Sequence, residues 1–333
     1  MEEFMTIFRR SMLAVAGAVV FGLVSPALAD IEPVNLRLAH VVNEQDGFHA
    51  AATRFQELVA ERSDGAISVK IFPNASLGDE RTLLEGMQIG TVDMGVITNG
   101  PVSNFLEEMA VFELPFLFPS AETAYEVLDG PIGQELLERL SEVNLKGLAY
   151  AERGFRNLTN SVRPIKSPDD VVGLKIRVME NPVYIDTFRE LGADAIPMAW
   201  TEALTAMQQG TIDGQENPVG VVHSFKLNET QTHMTMTRHT YAPAVFVIGM
   251  PVWQRLSPEE QKIVAEAAQQ AAEFERGLNA NMEQRQLQAL SEAGMEIVDD
   301  VDLTAFSEKV APVYEKYGEA FRGYLGRIQE ELR

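Results

Sequence analysis

Hydrophobic and polar positions along this chain switch between two periods, and the switching predicts the elements. From Val34 to Ala39 apolar and polar residues alternate, the period of a half-buried strand. Phe48, Ala51, Ala52, Phe55, Leu58 and Val59 then recur at three- and four-residue spacing, so 48–62 is predicted helical. After Gly65, Ile67 to Ile71 alternates as a second strand and Pro73 to Gly78 reads as loop. Asp79-Glu80 open a helix that ends at Gly90, and Val92 to Thr98 reads as a buried strand. This β-α-β-α-β order predicts α/β architecture, an open sheet with helices on its faces.

Ala110 to Phe118 is apolar but broken by Glu113 and Pro115, which reads as a buried connection. Helices are expected over 123–128 and 132–140. Strands are expected over 145–151 and 155–159, separated by a turn at Arg153-Gly154. Leu174, Ile176 and Val178 alternate with Lys175 and Arg177 in another strand, after a one-turn helix signalled by Ser167-Pro168-Asp169-Asp170. Asn181-Pro182 restarts a helix that Gly192 stops. Thr201 is expected to cap a helix ending at Gly210, followed by strands over 212–215 and 244–249. Met234 and Met236 alternate as a strand would, which suits core packing. Ser257-Pro258-Glu259-Glu260 is a strong helix start. The helical pattern then runs to Gly294, either as one helix of roughly 50 Å or as two meeting near Gly277.

One heptapeptide recurs. Met87-Gln88-Ile89-Gly90-Thr91-Val92-Asp93 returns as Met207-Gln208-Gln209-Gly210-Thr211-Ile212-Asp213, offset by 207 − 87 = 120 residues. Each copy reads as a helix end, a glycine suited to a left-handed cap and a strand start. The repeat fits a packing solution used twice, or two similarly built lobes that aim strand ends at a shared cleft. Ligands of open α/β sheets bind beyond the carboxyl ends of strands, which puts Thr98-Asn99 and Asn217-Pro218 at matching cleft-edge positions.

Composition narrows the function. A net charge of −22 argues against nucleic acid and anionic membranes as the main partner, because both need a basic face. With no cysteine there is no disulfide, thiolate metal site or cysteine nucleophile. The five histidines show no metal-ligand spacing, and no phosphate loop, nucleophile elbow or dinucleotide fingerprint is present, so no cofactor is expected. The paired acids Glu107-Glu108, Asp169-Asp170 and Asp299-Asp300 fall at turns or helix starts, where capping explains them. Arg9-Arg10, the apolar run from Met12 to Leu23 and Ala27-Leu28-Ala29 form the pattern of a cleaved export signal over 1–29. A periplasmic protein beginning at Asp30 is the expectation.

What remains is a binding constellation. Arg156, Arg177 and Asn217 lie at or beside inferred strand ends, and Glu80 and Asn99 lie at comparable places in the first part of the chain. Several stretches are specific in combination: Pro73 to Arg81 (PNASLGDER), Gly154-Phe155-Arg156-Asn157, Gly173 to Val178 (GLKIRV), Pro197-Met198-Ala199-Trp200 and Gly210 to Pro218 (GTIDGQENP). In these the chain resembles the solute-binding proteins of TRAP (tripartite ATP-independent periplasmic) transporters, DctP type, over essentially its whole mature length.

The resemblance implies a two-lobe periplasmic-binding-protein fold and no enzymatic activity. It implies lobe I from 30–154 plus 243–282, lobe II from 155–242 plus 283–333, and a long helix over about 258–293 spanning both. It implies a small organic acid as ligand, large and small membrane subunits as partners, and a monomer. Arg177 would pair with the ligand carboxylate, Arg156 would add a second positive contact, and Asn217 an amide hydrogen bond. Glu80 matches a polar contact position and Trp200 an aromatic wall. Thr98 departs from the acid that sialate-binding relatives carry. Glu80 would repel the far end of a dianion but accept bonds from hydroxyls. With Asn99, Asn217 and His40 nearby, that favours a uronate or aldonate over a C4-dicarboxylate, with keto acids and hydroxy-sulfonates also open. A periplasmic enzyme acting on sugar acids and a sensory binding protein are the rival readings.

Overall fold

The computed structural model describes residues 33–321 and 323–333. The expected export signal and its cleavage point therefore lie outside the described residues. The chain begins β1 (Val34–Ala39), α1 (Gly47–Arg62), β2 (Ile67–Phe72), α2 (Glu80–Ile89), β3 (Met94–Thr98) and the short α3 (Asn99–Val102). A buried 3-10 segment (Glu107–Glu113) leads to α4 (Ala121–Asp129), α5 (Pro131–Arg139) and the long β4 (Leu145–Asn160). Next come β5 (Lys175–Val178), α6 (Pro182–Glu190), β6 (Asp194–Pro197), α7 (Trp200–Gln208), β7 (Gly214–Asn217) and α8 (Val219–Ser224). The rest is β8 (His233–Gly249), α9 (Met250–Trp253), α10 (Pro258–Glu292), β9 (Glu296–Val298), α11 (Leu303–Lys309), α12 (Ala311–Tyr317) and α13 (Tyr324–Glu331).

The strands order as β2-β1-β3-β8-β4-β7-β5-β6, with β9 on β8. One half is β1 parallel to β2 and β3, joined to β8 through 244–248. The other is β5 parallel to β6 and β7, joined to β4 through 157–160. Thus β4 and β8 run through both halves. Where a turn is expected at Arg153-Gly154, β4 instead continues for 16 residues. Gly154 takes φ +100°, and the β4–β8 register shifts between Glu152 and Gly154. Glycine absorbs the irregularity as a bulge, which bends a strand without reversing it. The expected strand at 244–249 is likewise only the end of the 17-residue β8.

Two smaller expectations also shift. Ala199, without a side-chain bond, is the N-cap of α7, and Thr201 lies inside the helix. The strand expected at 212–215 begins two residues later. Helix α10 continues through Gly277 for 35 residues and packs against α1, β4 and α8. Its start is a full capping box, the Ser257 hydroxyl accepting from Glu260 N and the Glu260 carboxylate from Ser257 N.

The repeated heptapeptide does the same work in each half. Gly90 (φ +77°) and Gly210 (φ +65°) both take the left-handed conformation. Thr91 N then donates to Gly86 O at 2.9 Å and Thr211 N to Ala206 O at 3.0 Å. Each terminal acid ties down the neighbouring parallel strand: Asp93 Oδ2 accepts from Arg37 N at 2.7 Å, and Asp213 Oδ2 from Lys175 N at 2.8 Å. The same local packing is thus built once in each half of the sheet. Asp93 also accepts two bonds from the Arg37 guanidinium. Asp93→Ala should cost about 1–3 kcal/mol, since charge-assisted bonds to a buried acid are lost. Urea unfolding measures this, and an unchanged midpoint would contradict it.

Candidate functional site

Arg177 is the third residue of β5 and is 3% exposed. Strand alternation turns it to the face opposite Ile176, toward the start of α7. There its Nε and Nη2 both donate to the Met198 carbonyl, at 3.0 and 2.7 Å. Among the described residues no carboxylate pairs with it and Nη1 makes no hydrogen bond. Burial lowers its pKa to about 10, against the pull of Glu216 and Glu80. A buried guanidinium without a counter-ion is costly, and an incoming anion relieves that cost.

Trp200, the first residue of α7, sets its ring 5.5 Å from the Arg177 guanidinium and edge-on to Phe225. Its buried Nε1 has no partner. Glu80, the first residue of α2, is half-buried, and its Oε1 accepts from Thr98 N at 2.7 Å. Burial raises its pKa, offset in part by bonds from Thr98. Val41, Glu80, Arg177, Met179, Met198 and Trp200 line one cavity of about 30 Å³, drawn from both halves of the sheet. The halves bond directly beside it: Asn181 Nδ2 donates to Ser103 Oγ at 2.7 Å, and Asn104 Nδ2 to Glu180 O at 2.7 Å. The halves approach closely there: a Cβ on Gly100 would lie 2.9 Å from the flexible end of Met179.

The other expected site residues do not line this cavity. Asn99 donates to Met109 O and to Glu113 Oε1, at 3.0 and 2.7 Å, and its buried Oδ1 has no partner. Asn217 donates to Gln215 Oε1 at 2.6 Å. His40 Nε2 lies 3.1 Å from His49 Nδ1, its Nδ1 has no partner, and burial first, then His49, lowers its pKa to about 4. Arg156 is 1% exposed and already paired. Its Nε and Nη2 grip the two carboxylate oxygens of Glu216, and Nη2 also reaches Glu216 O at 2.6 Å. The third member of this cluster is His239, whose Nε2 lies 3.3 Å from Glu216 Oε2 while Nδ1 meets Thr237 Oγ1 at 2.8 Å. Burial alone would raise the Glu216 pKa, but Arg156 and His239 hold it below the ordinary value.

Glu216 and His239 were not among the expected site residues. Glu216 carried a signal, an acid directly before Asn217 at an inferred strand end, and a buried acid needs a cation. His239 carried none, because only the pairing of β4 with both β7 and β8 brings it there. A larger cavity of about 580 Å³ lies beside the β4 bulge, but its arginines are spoken for. Arg153 pairs with Asp46, Arg238 with Glu283 and Arg276 with Asp129. Arg177 is different in having no such partner.

A buried arginine without an ion-pair partner among the described residues thus stands beside a tryptophan, in a cavity lined from both halves of the sheet. The chain belongs to the DctP family, described as bacterial extracellular solute-binding protein, family 7, whose model matches residues 38–320. The 2,3-diketo-L-gulonate-binding periplasmic protein YiaO of Escherichia coli is 36% identical over 87% of this chain and 88% of its own. A TRAP periplasmic solute-binding protein from Bordetella bronchispeptica, with density interpreted as pantoate, is 40% identical, with TM-score 0.86 over 90% of this chain and 98% of its own. The sugar acid binding protein DctPAm of Advenella mimigardefordensis, in complex with galactonate, is 35% identical, with TM-score 0.87 over 91% of this chain and 100% of its own. These relatives are transport proteins and not enzymes.

Glu216→Ala should destabilise the fold by about 3–5 kcal/mol, because it strands the Arg156 charge in the interior. Denaturant unfolding measures this, and a loss below about 1 kcal/mol would contradict the pairing.

Proposed function

We propose that this protein binds a hydroxylated sugar acid, a uronate or aldonate, in the periplasm and delivers it to the membrane subunits of a TRAP transporter. The observation that carries the reading is Arg177, buried, held by the Met198 carbonyl and without a carboxylate of its own. A guanidinium presents a planar fork that matches a carboxylate through parallel bonds. Trp200 supplies an apolar wall and a free N–H. Glu80 accepts from ligand hydroxyls, and Asn99 Oδ1 and His40 Nδ1 offer further unpartnered polar atoms. Asn217 contributes its amide, and Arg156, anchored on Glu216, adds positive potential. The ligands named for the relatives, galactonate and diketogulonate, support this class over plain dicarboxylates.

In this reading the two lobes divide as 30–154 plus 243–282 and 155–242 plus 283–333, and the protein acts as an exported monomer. The lobes part to admit ligand and close on it. Closure makes the Arg177 pair strong, since a dry cleft weakens the competition from water.

Arg177→Ala should cost about 3–5 kcal/mol of binding, roughly two to nearly four decades in affinity. Arg177→Lys should lose much of the same, and near-normal affinity of the lysine variant by calorimetry would remove the bidentate role. A thermal-shift screen should show galactonate or glucuronate stabilising the protein by about 2.7 kcal/mol at a hundredfold excess over Kd. Stabilisation by malate and succinate alone would overturn the sugar-acid reading.

A further inference from the structure

Three side-chain amides join the halves of the sheet around the Arg177 cavity. Asn43, in the loop from β1 to α1, donates from Nδ2 to Ser224 O at the end of α8, at 2.9 Å. Asn104, just beyond α3, donates to Glu180 O at 2.7 Å. Asn181, the N-cap of α6, donates in the opposite direction, to Ser103 Oγ at 2.7 Å and Gly100 O at 3.2 Å. An amide offers both a donor and an acceptor, and two of these residues use both. Asn43 Oδ1 accepts from Gln45 N at 3.0 Å, and Asn181 Oδ1 from Val183 N at 2.8 Å. Each is thus fixed by its own loop while its amide N–H reaches across.

These bonds stand where a ligand must pass. Arg177 is 3% exposed, so a ligand reaches and leaves it only when the walls of its cavity part. Val41, Pro101 and Asn104 line that cavity from one half, and Met179, Glu180 and Trp200 from the other. Asn104 and Glu180 are therefore bonded wall to wall. Asn43 lies two residues beyond Val41, and Ser224 precedes Phe225, whose ring packs edge-on against Trp200 at 5.1 Å. Asn104 is exposed and Asn43 half-buried, so water can replace either bond, and a neutral bond exchanged for water changes the free energy little. Asn181 is fully buried and also caps α6, which makes it part of the fold's framework.

We propose that Asn43 and Asn104 are positioning residues that clasp the cleft: their bonds to Ser224 O and Glu180 O hold its walls together and set how fast a bound ligand leaves. The proposal rests on the binding-protein reading, because it needs halves that part around a ligand. Neither bond uses a side-chain group of Arg177, Glu80 or Trp200. The clasps therefore govern how long the walls stay together, and not which acid is chosen. Being neutral, they slow opening without preventing it, whereas charge-assisted bonds at the same places would be about twice as strong.

The test is stopped-flow release of galactonate and glucuronate from the wild type, Asn43→Ala and Asn104→Ala. Each variant should release either acid about three- to tenfold faster, by the same factor for both acids. The double variant should show roughly the product, because the two clasps share no residue. Asn43 does not line the cavity, so faster release from its variant is not a lost ligand contact. If Asn43→Ala does not fold, Asn43→Asp keeps the acceptor for Gln45 N while removing the donor. Spin labels on Glu61→Cys in α1 and Glu190→Cys in α6, both exposed, in a chain with no native cysteine, read the distance between halves without ligand. That distance should lengthen in both clasp variants. If neither acid binds, the distances alone decide, and only the ligand reading fails. Unchanged release and distance overturn the clasp. So does faster release from Asn104→Ala alone at an unchanged distance, which would make Asn104 a ligand contact.

Discussion

The pairing of β4 with β8 is the constraint on which the molecule depends. Both strands run through both halves of the sheet, so the strands on either side are joined through the same two ribbons. Antiparallel pairing this long would ordinarily give a rigid plank. Here the register shifts beside Glu152, Gly154 and Arg156 interrupt the ladder where the halves meet. The interruption leaves Glu152 against Glu275 where it begins and Arg156 against Glu216 where it ends.

Charge explains which of the buried arginines is available. Arg156 is gripped by Glu216, with His239 behind it, and breaking that pair would leave a bare charge in the core. Arg177 has only a carbonyl, and the dipole of a carbonyl compensates a full positive charge incompletely. The same burial costs stability in the first case only if a partner is removed, and in the second until a partner arrives. An anion that reached Arg177 would complete a pair that the chain itself leaves open.

The elements were legible wherever the periodic pattern was local. β1, α1, β2 and α2 fall within a residue or two of their expected bounds, and the one-turn helix at Pro168 and the restart at Asn181 appear as their caps imply. The misreadings fall where a tertiary partner overrode a local signal. Arg153-Gly154 reads as a turn, yet β8 holds it in a strand. At Gly277 the local pattern leaves one helix or two open, and packing against α1, β4 and α8 carries α10 through it as one.

By itself the sequence determined the α/β order, the repeated helix-cap-strand unit and Arg177 at a strand end, because each depends on residues a few positions apart. It determined family membership through motifs that are specific only together. Tertiary structure alone decided that buried Arg156 is paired and buried Arg177 lacks an ion-pair partner among the described residues, since Glu216 lies 60 residues from Arg156 and Met198 lies 21 from Arg177. It alone placed Glu152 beside Glu275 across 123 residues. Periodicity reports which face a side chain takes, and only folding reports what waits on that face.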